Sequence, residues 1–283
     1  MALPQFFSNT FTPPLKLLPG MRLGTRAVPR RPKTNHLRTQ AVTVNTLLDK
    51  LDPIPQQAVL LGRCADGLPF LMSLGDPELG AILIASQQGY GKTHHLQSLI
   101  DSALQTHTPR KLQVAVLTLN PAEWNRLANR PAVRNYLQGV AAWYDPQAEA
   151  LIASLTELAE SRREGRQRGP DILLALDDLP ALQDLPWEAQ VNLRWLLEYG
   201  SQLGIWIVAT VNAAEVVDFR YWIETFRTRI VGRMEDEAAA EVLALNETEM
   251  VKTLAPGEFL AQTGTDWVSY ALPLLGEVRT KEG

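Results

Sequence analysis

Residues 81–97, AILIASQQGYGKTHHLQ, pass from an unbroken apolar run through two glycines, a lysine and a threonine into a polar stretch. The phosphate-loop pattern G-x-x-x-x-G-K-[ST] fits at every fixed place but the first, where Ser86 stands for glycine. Between a buried strand and a helix, Gly89 and Gly91 let the backbone fold so that consecutive N–H groups and the helix dipole face a diphosphate. On this reading Ser86, Gln87, Gln88, Gly89, Tyr90, Gly91, Lys92 and Thr93 cradle ATP. Lys92 reaches the β and γ phosphates, and the Thr93 hydroxyl holds Mg2+. Ser86 is small enough for the turn, at a cost of about 1 kcal/mol if a positive φ is needed there.

A phosphate loop needs an acidic partner to place the metal and the attacking water. The stretch 171–178, DILLALDD, supplies an apolar strand ending in Asp177 and Asp178. Asp177 is expected in the magnesium shell, and Asp178 is expected to orient water toward the γ phosphate. Around these two motifs the chain alternates between strand-like and helix-like segments. Strands are predicted at AILIAS, LQVAVLTL (112–119), VAAWYD (140–145), DILLALDD and GIWIVATV (204–211), with helical patterns between them. That order predicts an α/β fold with a mainly parallel sheet covered by helices on both faces. QAVLLGRC and PFLMSL, around the turn ADG, predict an antiparallel pair at the start. TRIVGRM, GEFLAQTG and DWVSYALPL read as short closing strands around the helix EDEAAAEVLAL.

Composition sets the frame for these motifs. A chain of 283 residues, 46% hydrophobic and 20% charged, buries a substantial core and suits one large domain with an extension. No segment approaches the length of a membrane-crossing apolar helix, and the start lacks a secretory leader pattern. The single cysteine, Cys64, forms no internal disulfide, so a cytoplasmic setting is expected. The net charge of −4 is uneven: Met1–Lys50 holds eight basic residues against one acid, Asp49. Residues 1–50 therefore read as a basic, proline-rich arm, and 51–283 as the acidic ATPase domain. The arm suits nucleic acid or an acidic partner through counterion release; a solvated tail or an organelle-targeting segment accounts for the same composition.

Residues 57–274 resemble the motor domain of the FtsK/SpoIIIE DNA translocases, in the FtsK/HerA group of RecA-like P-loop ATPases. The resemblance rests on LLGRCADGLPFLMSLGDPELGAILIASQQGYGKT, QVAVLTLNP, ALDDL, GSQLGIWIVAT, RTRIVGRMEDEAAAEVL and LAPGEFLAQTG, taken in that order. It implies a RecA-like fold, ATP hydrolysis with Mg2+, action on double-stranded DNA, and a homo-oligomeric ring, as a hexamer. It also implies that Arg229 touches a neighbouring subunit's γ phosphate, with Arg227 the next candidate. Four positions depart from the family besides Ser86. Asp178 stands for a catalytic glutamate, Val211 for a sensor glutamine beside which Asn212 is the available substitute, Ser201 for an arginine, and Asn120 for an aspartate. These departures keep a second reading open, a catalytically weakened nucleotide-binding subunit that switches or scaffolds a larger complex.

Other landmarks are expected to be structural. His94 and His95, adjacent on a helix, point to different faces and do not share a metal. Trp143, Trp195 and Trp206 lie in apolar periodic segments and are expected in the core. The arginines of ESRREGRQR (160–168) fit either a solvated helix end or, in a ring, a DNA-facing patch.

Overall fold

The computed structural model describes residues 42–276 apart from 52, 55–56, 244, 246–247 and 264–265. Most of the basic arm, residues 1–41, lies outside the described residues. The strands are β1 (Ala58–Cys64), β2 (Pro69–Ser73), β3 (Ala81–Ser86), β4 (Leu112–Thr118), β5 (Leu137–Ala142), β6 (Asp171–Leu176), β7 (Ile205–Asn212), β8 (Phe226–Val231), β9 (Glu258–Thr263) and β10 (Asp266–Ala271). They form one sheet in the order β2-β1-β10-β9-β8-β3-β7-β6-β4-β5. From β8 to β5 every pairing is parallel; β9, β10, β1 and β2 join antiparallel.

Burial on both faces explains why the central strands are continuous apolar runs. In β3, Ala81, Leu83 and Ala85 enter one core cluster while Ile82 and Ile84 enter the other. In β6, Ile172, Leu174 and Leu176 face the first cluster, and Leu173 and Ala175 the second. The helix Lys92–Thr106 covers one face with Leu96, Leu99, Ile100, Ala103 and Leu104. The helix Pro146–Arg163 covers the other with Ala148, Ile152, Leu155 and Ala159, at spacings of three and four that keep one side inward. Trp187–Tyr199 lies on that same face through Ala189, Leu193, Leu196 and Leu197.

Three sequence expectations need correction. The segment TRIVGRM is not a peripheral closing strand: it belongs to β8, parallel to β3 in the middle of the sheet. The strand expected at 140–145 runs instead from Leu137 to Ala142, and Trp143 turns inward beyond its end. The arm also ends earlier than residue 50. Thr43 caps a helical turn, Val44–Leu48, whose Val44, Leu47 and Leu48 pack with Ala58, Leu60 and Leu71 in a third cluster. Trp143 and Trp206 are buried and Trp195 packs on the core, as expected, whereas Trp187 is 78% exposed. Among the described residues no helix is long and apolar enough to cross a membrane.

Candidate nucleotide site

The sheet order brings the two motifs together. β3 is flanked by β7 and β8, and β7 separates it from β6. The loop after β3, the acids after β6 and the ends of β4 and β7 thus share the carboxyl edge of the parallel strands, where open α/β sheets bind ligands.

Gly89 (φ 79°) and Gly91 (φ 95°) hold left-handed backbone, so the loop requires glycine there. Ser86 does not adopt a positive φ. It ends β3, fully buried, and carries no strain from replacing glycine. Space for its side chain comes from Gly232 beyond β8, where an added Cβ would lie 2.7 Å from the Ser86 Cβ. The loop is anchored on both sides: the Gln87 amide donates to the Arg233 carbonyl (2.9 Å) and the Gly257 amide to the Tyr90 carbonyl (3.1 Å). The Arg233 guanidinium lies over the Tyr90 ring, 5.6 Å from its centroid.

The helix that follows begins without a side-chain cap and without an acid in its first turn, unlike Pro146–Arg163, which Asp145 caps. Its first amides lack intrahelical acceptors, so this end favours an anion. Lys92 is buried beside it, with Nζ donating to the carbonyls of Ser86 and Gln87 at 3.2 Å each. Burial lowers its pKa, opposed by Asp178, Asp177 and Glu215.

Asp177, 1% exposed, accepts from three threonine hydroxyls. Thr93 and Thr210 donate to Oδ1 at 3.1 and 2.9 Å, and Thr118 to Oδ2 at 3.4 Å. The indole of Trp143 donates to its backbone carbonyl at 2.7 Å. Burial, then the neighbouring Asp178, raises its pKa; the hydroxyls from Thr210 and Thr93 counter this. The next residue, Asp178, takes φ 61° and ψ 68°, and its amide donates to Thr210 Oγ1 at 2.8 Å. Thr210 therefore bonds both acids at once. Left-handed backbone at a non-glycine residue costs on the order of 1 kcal/mol or more, here at the edge where the motifs meet.

Thr118, Thr210 and Glu215 have no site role in the sequence motifs, and Trp143 is expected there only in the core. Threonine is ordinary in a strand, and only the sheet order places Thr118 and Thr210 at the ends of strands flanking β6. Asn212 pairs in register with Ser86, but its side chain caps the turn Ala213–Glu215 by accepting from the Ala214 amide. Arg229 also departs from expectation. It is 5% exposed and its guanidinium donates to the Val242 carbonyl of its own domain at 3.3 Å. Arg227 is exposed, with its methylenes over Gly80.

The basic cluster at 160–168 is partly structural. Arg162 donates to the carbonyls of Leu203, Gly204 and Pro170, Arg163 lies over Trp195, and Arg166 pairs with Glu164. The histidines have separate partners, Pro273 O for His94 and the Tyr270 hydroxyl for His95, the latter at 2.7 Å. Burial, then His94, pushes the His95 imidazole down from 6.5 to about 3. The unfolded chain takes up a proton there below about 6.5 while the folded chain does not until about 3, so stability falls as pH drops through this window. Urea midpoints at about pH 7.5 and about pH 5 are expected to differ more for the wild type than for His95→Leu. Equal differences would contradict this assignment.

Among the described residues no three His, Cys, Asp or Glu side chains gather as a self-sufficient metal site. Thr93 and Asp177 instead offer two hard oxygen donors beside a phosphate loop. That set fits Mg2+, which keeps waters and is bound through one or two carboxylates plus substrate phosphates.

The sequence matches no described protein family and no protein of curated function. Solved structures match in fold. The cytoplasmic domain of the Thermomonospora curvata type VII secretion ATPase EccC superposes with a TM-score of 0.65 at 18% identity, over 86% of this chain and 33% of that one. EssC (ATPases 2 and 3) from Geobacillus thermodenitrificans gives 0.63 at 19%, over 85% and 47%. The pCW3 conjugation coupling protein TcpA, in its monomer form with ATPγS, gives 0.57 at 20%, over 79% and 67%. The chain shares the fold of these ATPase structures. It spans less than half of the EccC and EssC chains, so it matches part of larger assemblies of domains. Within this fold, the loop at 86–93 and the acids at 177–178 occupy the edge described above.

Proposed function

We propose that the chain binds ATP with Mg2+ at residues 86–93 and hydrolyses it as a subunit of a homo-oligomeric ring, a hexamer, acting on double-stranded DNA. The observation that carries the nucleotide reading is the 3.1 Å bond from the Thr93 hydroxyl to Asp177, which joins the phosphate loop to the acidic strand. The ATPγS bound to TcpA supports it from a structure of the same fold. Thr93 and Asp177 are the residues that would hold Mg2+, whose charge offsets that of the phosphates when it is bound. Lys92 exchanges its contacts with the Ser86 and Gln87 carbonyls for phosphate oxygens, gaining charge-assisted bonds in place of neutral ones. The uncapped helix start supplies further donors to the same anion.

A second reading, a nucleotide switch or scaffold, is favoured by one observation. Arg229 is buried and donates to the Val242 carbonyl of its own domain, which supports a reading without that arginine, while the exposed Arg227 is the candidate that keeps the first reading open. The two readings separate on DNA. An acidic body repels DNA at long range, so clamping it calls for local positive charge, and residues 1–41 contain seven basic side chains and no acid. With Mg2+ and a non-hydrolysable ATP analogue, the full chain is expected to assemble as a hexamer by light scattering. That assembly is expected to bind duplex DNA without sequence preference and to lose affinity steeply with salt, by about 0.9 in log–log slope per phosphate contact. Removing residues 1–41 is expected to flatten that slope and leave ATP binding intact. A monomer that ignores duplex DNA at low salt would give the argument to the switch reading.

A further inference from the structure

The helix Trp187–Tyr199 packs on the sheet through Ala189, Leu193, Leu196 and Leu197. On its opposite side Trp187, Val191, Arg194 and Glu198 follow at spacings of four, three and four, which makes one outward stripe. Trp187 and Val191 are exposed. Arg194 carries the stripe across to the helical turn Arg220–Ile223. Its Nη1 donates to the Tyr221 carbonyl at 2.8 Å, and its guanidinium lies 3.7 Å from the centroid of the Tyr221 ring, itself 62% exposed. An aromatic strip thus runs from Trp187 to Tyr221 on the outside of a helix whose inner side is already packed, and such a patch marks an interaction surface.

Charge selects the partner. Residues 184–224 hold six acids against two bases, and both bases are paired, Arg194 with Glu198 and Arg220 with Glu224. Asp184 and Glu188 flank Trp187 in the chain and Asp218 precedes Tyr221, all three exposed. Such a rim repels nucleic acid and anionic surfaces, and the same face of a second copy would set acid against acid. A basic, proline-bearing segment fits instead, because arginine stacks on aromatic rings and pairs with carboxylates, and proline docks on aromatic-lined surfaces. Residues 26–33, RAVPRRPK, have that composition: four basic side chains, no acid, and prolines at 29 and 32. In a polyproline II helix, with its three residues per turn, Pro29 and Pro32 would share one edge and leave Arg30 and Arg31 to the others.

The arm is long enough to reach this face. The Leu274 amide donates to the Val42 carbonyl (2.8 Å) just beyond β10. Two antiparallel pairings separate β10 from β8, so β10 ends on the carboxyl edge of the parallel strands. Trp187 starts the helix that follows the acids at the end of β6, on that same edge. In the sheet order β10 and β6 are five strand spacings apart, about 24 Å, whereas the 13 residues from Pro29 to Val42 extend up to about 43 Å. We propose that residues 26–33 dock within their own chain on the acidic aromatic face of Trp187, Val191 and Tyr221, with the prolines on the rings and the arginines on the flanking carboxylates. This contact is independent of the nucleotide reading, and it holds the basic arm against the acidic body when no polyanion competes for it.

The test uses the full chain with photoreactive p-benzoylphenylalanine in place of Val191, irradiated without nucleotide or DNA, with adducts mapped by mass spectrometry. Mixing isotope-labelled and unlabelled chains separates contacts within a chain from contacts between chains. The expected adduct joins position 191 to residues 26–33 of the same chain, in a yield that falls as salt screens the charges. Arg30→Glu with Arg31→Glu is expected to lower that yield about tenfold, the effect of reversing two surface ion pairs. Adding Glu188→Lys with Asp218→Lys is expected to return it to within about threefold of the parent, a repair that a loss of folding would not show. Glu188 and Asp218 are exposed, so the thermal midpoint is expected to stay near that of the parent. Adducts formed only between chains, adducts confined to other parts of the body, or a yield that reversal at 30 and 31 leaves unchanged would overturn the proposal.

Discussion

Lys92→Ala is expected to weaken ATP binding by about 100-fold or more, roughly 2.7 kcal/mol. The ammonium is the one cation that the loop itself contributes, since residues 86–93 contain no other basic side chain. It is buried at the start of a helix whose first turn contains no acid. In the absence of ligand it makes two bonds, both to neutral carbonyls, so truncation costs the fold little and the phosphates much. Calorimetric titration of wild type and variant reads the effect, and a thermal midpoint near that of the wild type shows that the fold survives. Equal affinities would remove Lys92 from the site.

Asp177→Asn is expected to act in opposite directions on activity and on stability. Phosphate release should fall at least about 1000-fold, because the carboxylate bonded to Thr93 loses its charge and with it the hold on the metal. The ligand-free fold should gain. The Asp177 carboxyl titrates at 3.8 in its ordinary state and higher in the folded chain, through burial and then Asp178. Between those two values the folded state retains a proton that the unfolded state has released, so stability declines as pH rises through that interval. At neutral pH the ionised group is thus a cost to the ligand-free chain, and an uncharged side chain of the same shape removes it. Thr118 can rotate its hydroxyl to accept from the new amide, which keeps the network satisfied. A higher thermal midpoint with no detectable turnover is the expected pair of results; a lower midpoint with turnover intact contradicts the account of Asp177.

The sequence made the centre of this site legible because its chemistry is local. A strand, two glycines, a lysine and a threonine must follow one another to build a phosphate cradle, and an apolar run ending in acids stands out wherever the sheet places it. The parallel sheet was legible for a related reason, since strands buried on both faces cannot disguise their apolar runs. β8 was less legible because polar residues interrupt its apolar run. Thr228 and Arg229 are in fact buried, and their polar groups bond inward to the carbonyls of Leu79 and Val242. Residues 43–48 were assigned to the arm because charge dominates the segment before them, although Val44, Leu47 and Leu48 form an apolar face that β1 and β2 cover.

Glu215 illustrates a different limit. It follows two alanines in a short turn that Asn212 caps, where sequence reads it as the third residue of a capping box, and only the pairing of Asn212 with Ser86 places that turn beside the phosphate loop. Strand order in such a sheet depends on which crossovers pack, and no run of neighbouring residues encodes it. Thr210 is hidden in the same way, as a β-branched residue in a strand until its hydroxyl is seen to hold Asp177 and the Asp178 amide together.

The most direct test of the nucleotide site is an equilibrium titration of the full chain with ATPγS, run with Mg2+ and again with the metal chelated. One saturable site that tightens with Mg2+ and is lost in Lys92→Ala is the result this account predicts. No saturable binding under either condition, or binding that Lys92→Ala leaves unchanged, would contradict it.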